Sequence, residues 1–337
     1  MEDRVKDPVV SVIMAGRDDN YGNTPDEGIR DLAFTPIPYI DRLANTIEKL
    51  DSGFKKIGVT AEIIIVDWAP TKFLFENPTI SRICHERNVR FVIVTRSMVR
   101  KMKLNPNGFD EFFAKNIGIR SAIGEFILLT NSDAWPDRRL FQSIRNFLQL
   151  NLSSYYGRPH SRIDLDAMNH PTGEGITFND DNLDGVLGTA AAGDFVLTKR
   201  VNISLVGGYN ESGTRKSTRT RQAGLDGQLL MTLYLRGIKP KKLQGSILTF
   251  DHNKIQRFDY GVPHKTYTNN SKWGLSNQPL EYLTPNVTVI NHKNLQARLQ
   301  FLFHVLRRKS STFYTILRNR TASRAIQNRI EMRKHSK

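Results

Sequence analysis

The sequence predicts an α/β fold: a mostly parallel central sheet with helices on both faces, followed by a basic helical C-terminal tail. Three observations carry this. Short apolar runs alternate with longer segments whose apolar residues recur at helical spacing, the pattern of strand–helix–strand units. The 337 residues are 39% hydrophobic, 24% charged and 9% aromatic, enough for a large core and unlike a disordered chain, a collagen or a coiled coil. The formal charge of +16 is unevenly placed: His292–Lys337 holds twelve Lys or Arg against Glu331 alone.

Val9–Ala15 is an apolar run after Pro8 and reads as a buried strand. Tyr39–Leu50 follows Pro38 with Ile40, Leu43, Ile47 and Leu50 at helical spacing. Glu62–Trp68 is a second strand, Pro78–Glu86 a helix, and Arg90–Val94 a third strand. Phe109–Ile123 reads as a helix stopped at Gly124, Phe126–Thr130 as a fourth strand, and Pro136 as the opening of a helix to Leu150. Leu152–Asn182, rich in Gly, Pro, His, Asn and Asp, reads as a long surface excursion. Gly193–Thr198 is a strand candidate, Lys199–Leu205 and Leu225–Arg236 are helices, and Ser246–Phe250 is the last strand expected. Glu211–Gly224 carries almost no apolar residue and reads as a loop, with Arg215, Lys216, Arg219 and Arg221 available to close over a diphosphate. Beyond Asn253 the pattern turns irregular until the tail.

In an open α/β sheet, ligands bind beyond the carboxyl ends of the strands. Arg17 and Asp19 follow the first strand, Asp67 ends the second, and Asn131 and Asp133 follow the fourth. Asn116 and Arg120 stand four apart, on one face of their helix. No G-x-G-x-x-G or G-x-x-x-x-G-K-[ST] follows any strand, which argues against a dinucleotide oxidoreductase and a P-loop ATPase. One cysteine, Cys84, leaves no disulfide framework and no thiolate zinc site. Carboxylates, Asn and Arg at strand ends suit a hydrated metal and a diphosphate.

The block from Phe113 through Asn116, Gly118, Arg120, Ala122 and Gly124 to Asn131-Ser132-Asp133 resembles the core of GT-A fold glycosyltransferases, family-2-like. In that family an Asn-containing helix, a Gly-Glu-[Phe/Tyr]-Ile turn into a strand and a D-x-D element occur in this order. The resemblance runs from Val9 to His252 and includes Ala192–Glu211 and Leu225-Asp226-Gly227 on the acceptor side. It implies transfer of a sugar from a nucleoside diphosphate sugar, UDP-linked by expectation, to a glycan or lipid-linked acceptor. Arg17, Asp19, Asp67, Asn116, Arg120, Asn131 and Asp133 are then expected to bind the donor, and Asp194 the sugar or acceptor. A divalent metal, Mn²⁺ or Mg²⁺, is expected on Asp133 and His252, with Asn131 standing where a D-x-D has its first Asp. Asp226 is expected to be the general base of an inverting transfer.

The division expected is a catalytic unit over 1–253, with a nucleotide half (1–135) and an acceptor half (136–253), then an irregular extension (254–291) and the basic tail (292–337). Residues 295–330 carry apolar stripes among basic positions, as in a helix lying on an anionic membrane. A sugar nucleotidyltransferase is the neighbouring alternative, but Ala15–Asp19 lacks its glycine-rich, Arg-containing loop. A nucleic-acid-binding protein acting through the tail is the other, and the body shows no RRM, KH or zinc-finger pattern. The absence of a long apolar run and of a leader-like N-terminus gives the expectation of a cytoplasmic, non-secreted protein, peripheral to a membrane if the tail binds one.

Overall fold

The computed structural model describes residues 8–17, 37–151, 155–158, 161–166, 168–172, 176–177, 195–211, 225–250, 267, 269, 273–276, 278, 281–284 and 286–290. In chain order the elements are β1 (Val10–Gly16), α1 (Tyr39–Lys56), β2 (Ala61–Trp68), α2 (Pro78–His85), β3 (Val89–Val94), α3 (Arg96–Lys101), α4 (Glu111–Ser121), β4 (Phe126–Thr130), β5 (Ala134–Pro136) and α5 (Arg138–Leu150). There follow β6 (Tyr155–Arg158), β7 (Ser161–Leu165), β8 (Ile176–Thr177), β9 (Phe195–Lys199), α6 (Arg200–Val206), α7 (Leu225–Leu235), β10 (Lys239–Lys242), β11 (Ser246–Phe250), β12 (Glu281–Thr284) and β13 (Val287–Ile290).

The central sheet has nine strands in the order β10-β6-β9-β4-β1-β2-β3-β13-β12. Strands β4, β1, β2, β3 and β13 run parallel, with β9 antiparallel to β4 and β12 antiparallel to β13. Alternation along the strands divides the core between two faces. Ile13, Ala15, Ile64, Val66, Ile127 and Leu129 meet the residues of α4, α6 and α7. Val12, Met14, Ile63, Ile65 and Leu128 are equally buried on the other face, where α1 packs on β2. Helix α4 sits close on β1: a Cβ at Gly118 would lie 2.4 Å from an Ile13 methyl carbon. The fold is therefore the mostly parallel α/β arrangement that the sequence predicts.

The differences are local and physical. Pro136 does not open a helix; it lies in β5, and α5 starts at Arg138, where the Asp137 carboxylate accepts from the Leu140 N–H at 2.6 Å. Helix α4 is shorter than the periodic pattern because Asp110 caps it, accepting from the Phe113 N–H at 3.1 Å. The excursion after Leu152 supplies β6, β7 and β8, and β7 joins β5, β11 and β8 in a second, four-stranded sheet. Ser246–Phe250 is not the last strand, since β13 extends the central sheet beside β3. The tail at 292–337 and the Glu211–Gly224 loop beyond Glu211 lie outside the described residues. Among those described, no helix is long and apolar enough to cross a membrane.

At the amino ends of the strands, Glu62 is 1% exposed and holds three elements together. Its carboxylate accepts from Ser11 Oγ at 2.5 Å, the Ile123 N–H at 2.9 Å and Arg90 Nε at 2.7 Å. Removing a buried partner leaves Arg90 unpaired, which typically costs about 3–5 kcal/mol. Glu62→Ala should lower the unfolding free energy by that order in a denaturant titration; a loss under about 1 kcal/mol would show the network to be dispensable.

Candidate functional site

The strand order reverses beside β1, with β2 and β3 on one side and β4 on the other. The carboxyl ends of β1 and β4 therefore flank a topological switch point, the place where open α/β sheets bind ligands. Register pairs Ile13 with Leu129, so Gly16-Arg17 and Asn131-Ser132-Asp133 leave the sheet there side by side.

Asn131 and Asp133 are each held by a different buried cation. Lys115 of α4 is 0% exposed; its Nζ donates to Asn131 Oδ1 at 3.0 Å and pairs with Glu111 at 2.5 Å. Tyr39, at the start of α1, lies beside Ser132, and its buried hydroxyl makes no hydrogen bond among the described residues. Arg42, one turn on, donates from Nη1 to Asp133 Oδ2 at 2.8 Å, with the two side chains 3% and 11% exposed. Burial pushes the Tyr39 phenol well above the usual tyrosine range; contact with Ser132 opposes this, and the Asp67 carboxylate adds to it. The phenol rests on Gly16, where a Cβ would lie 2.1 Å from its oxygen. Only glycine at the end of β1 lets α1 approach this closely.

The other sequence candidates divide. Asp67 is fully buried, and its Oδ2 accepts from the Leu74 N–H at 2.9 Å. Arg17 is half-buried at the rim and donates to the Asn107 and Gly108 carbonyls, both at 3.0 Å. Arg96 fixes the same loop through the Ala69 and Pro106 carbonyls.

Asn116 and Arg120 make contacts of their own within the chain. Asn116 is 0% exposed: its Nδ2 donates to the Tyr209 carbonyl at 2.9 Å and Glu211 Oε1 at 3.1 Å, and its Oδ1 accepts from the Tyr209 N–H at 2.7 Å. It clamps the turn after α6. Arg120 is exposed, with its guanidinium 5.1 Å from the Trp273 ring centre. Helix α4 runs against the strands, and the Ser121 carbonyl takes a bond from Arg90 near the start of β3. Arg120 thus lies toward the amino ends, away from the switch point.

Asp226 is half-buried in the first turn of α7. Gln228, two residues on, accepts from Asn210 Nδ2 at 2.9 Å, which ties that turn to the segment clamped by Asn116. Asp19, Asp194 and His252 lie outside the described residues. Antiparallel pairing of Thr249 with Ala134 carries β11 to Phe250 beside the Asn131–Asp133 element.

Tyr39, Arg42 and Lys115 escaped the sequence reading. Arg42 did leave a signal, a charge inside the buried stripe Tyr39, Leu43, Thr46, Ile47 and Leu50. Lys115 left none, because the segment from Phe112 to Ile119 is buried all round.

The described donors do not fit a divalent ion. A metal site here needs hard oxygens free to coordinate, yet Asn131 Oδ1 faces an ammonium and Asp133 Oδ2 a guanidinium. Among the described residues, no three of His, Cys, Asp and Glu stand together. The metal role expected of Asp133 is thus at odds with its partner, while His252 is not described.

No family model matches the chain, and no curated protein matches it. Solved structures do resemble it. TarS 1–349 from S. aureus aligns over 72% of this chain and 60% of its own, at 14% identity and a TM-score of 0.45. The same protein in complex with UDP-GlcNAc covers 73% and 59% at 14% identity, TM-score 0.48. The mannosyltransferase PcManGT from Pyrobaculum calidifontis, in complex with GDP-Man and Mn²⁺, covers 75% and 59% at 15% identity, TM-score 0.41. This chain spans about three fifths of the length of those chains.

The placement of Arg120 has a direct check. Arg120→Ala should cost no more than about 1 kcal/mol of stability, the size of an exposed cation–π contact, and leave nucleoside diphosphate affinity unchanged in calorimetry. A tenfold loss of affinity would return Arg120 to the binding site.

Proposed function

We propose that the chain is a glycosyltransferase using a nucleoside diphosphate sugar, with Asp226 as the general base of an inverting transfer. The observation that supports it best is the position of Asn131-Ser132-Asp133 at the switch point, reached through the block Phe113–Asp133 that resembles the GT-A core. The donor site proposed comprises Arg17, Asp19, Asn131 and Asp133, with Asp194 toward the sugar or acceptor. Asp67, at the end of β2, is proposed as a further donor-binding residue.

In this reading the Asp226 carboxylate takes the proton of the acceptor hydroxyl as its oxygen attacks the anomeric carbon. The bond from that carbon to the diphosphate oxygen breaks, and the diphosphate leaves with the electron pair. Facing the sugar opposite the leaving group is what a base needs for inversion, and the α7 turn that carries Asp226 is fixed through Gln228 and Asn210. A UDP donor and a glycan or lipid-linked acceptor are the substrates proposed. The basic segment 295–337 is proposed to hold the enzyme on an anionic membrane, with each Lys or Arg near the surface contributing about 1 kcal/mol.

Thermal-shift titration with UDP, GDP, ADP and their sugars tests the reading. A ligand at one hundred times its dissociation constant should stabilise by about 2.7 kcal/mol; no shift with any of them, with or without metal, overturns it. Asp226→Asn should retain nucleotide binding and lose transfer by roughly 10²–10⁴-fold, so near-normal turnover would reassign the base. For the tail, sedimentation with anionic vesicles should fall with salt and on truncation after Asn291. Equal behaviour of full-length and truncated chains disposes of the membrane reading.

A further inference from the structure

Resting on the donor-site reading above, we infer that the Asn131-Ser132-Asp133 element is held by protein cations, Lys115 and Arg42, in place of a divalent ion. Nucleoside diphosphate binding by this chain therefore does not depend on metal.

Two independent observations converge. Lys115 reaches Asn131 from α4, which covers one face of the sheet, and Arg42 reaches Asp133 from α1, which packs on β2 and lies outside the core cluster around α4. Neither contact is a loose surface pair: Lys115 is 0% exposed and the Arg42 side chain 3%. The geometry is also supported from behind. Tyr39, one turn before Arg42, is packed on Gly16 beside Ser132, so α1 is fixed against the same element at two points.

For Asp133 to coordinate a divalent ion through Oδ2, its carboxylate would have to give up the guanidinium, leaving Arg42 charged and buried without it, and an ion on Oδ1 would stand close to the same fixed positive charge. Breaking a buried pair in this way weakens the competing complex by a factor on the order of 10²–10³. Asn131 is under the same constraint, since a cation approaching its Oδ1 meets the Lys115 ammonium. A position that holds a second carboxylate in a D-x-D holds an amide here, and this lowers the negative charge offered to a metal. The same exchange suits an amide that must accept from a buried lysine already paired with Glu111.

Two measurements on the full chain test this. Calorimetry with UDP and GDP, in EDTA and then with excess Mn²⁺, should give dissociation constants within about threefold of each other. Mn²⁺ titration of the nucleotide-free protein, read by electron paramagnetic resonance, should show no site tighter than millimolar. Arg42→Gln releases Asp133 and should tighten Mn²⁺ at least tenfold, an effect that Arg42→Gln combined with Asp133→Asn abolishes. Nucleotide binding that appears only with metal overturns the inference. So does a micromolar Mn²⁺ site in the unaltered protein that Asp133→Asn removes. If no nucleotide binds in either buffer, the glycosyltransferase reading fails instead, and the Mn²⁺ titration still decides whether the cations exclude metal.

Discussion

The arrangement hangs on one crossover. Strand β4 must run parallel to β1 on the side opposite β2, so the chain leaving β3 has to pass back over the sheet, and α4 is the segment that does so. It can lie flat on β1 only because Gly118 brings no side chain to Ile13. This close seat determines what its neighbours do: Lys115 is delivered to Asn131 at the switch point, and Asn116 is delivered to the turn at Tyr209–Glu211. Packing on a helix buried nearly all round leaves a polar residue no solvent. Each must therefore find a protein partner, and it finds one in Asn131 and the Tyr209–Glu211 turn respectively.

The two rims of the sheet are built on opposite electrostatic plans. At the amino rim a single carboxylate, Glu62, gathers a hydroxyl, a backbone amide and an arginine, and nothing is left over for a ligand. At the carboxyl rim, arginines and a lysine pin loops and strand ends: Arg17 and Arg96 the Pro106–Gly108 loop, Arg42 and Lys115 the Asn131–Asp133 element. A rim lined with fixed cations is suited to an anionic ligand, since preorganised charge need not be reorganised when the ligand arrives.

The sequence carried the sheet further than the site. Strands such as Glu62–Trp68 and Phe126–Thr130 are legible because buried parallel strands are continuous apolar runs. Strand β10, Lys-Pro-Lys-Lys, has no such pattern, being an edge strand with one residue exposed and three half-buried. Spacing placed Asn116 and Arg120 on one face but could not say which way the helix runs relative to the strand ends, and this direction puts Arg120 toward the amino ends of the strands. Asn131 and Asp133 were visible from their place after a strand. Their partners Lys115 and Arg42 were not, because contacts sixteen and ninety-one residues apart depend on topology rather than pattern.

The parallel seat of β13 on β3 also governs how the chain can be made. Thr95 and Ile290, bonded across that junction, are 195 residues apart. During synthesis, at roughly 5–20 residues per second, β3 waits ten seconds or more as the outermost strand, its Phe91, Val92 and Ile93 beside an open row of backbone donors and acceptors. An apolar open edge is a template for pairing with other chains. A nascent or truncated chain ending before Val287 should thus be the form most prone to aggregate, and expression boundaries belong after Ile290, where β13 covers β3 and the edge has passed to β12.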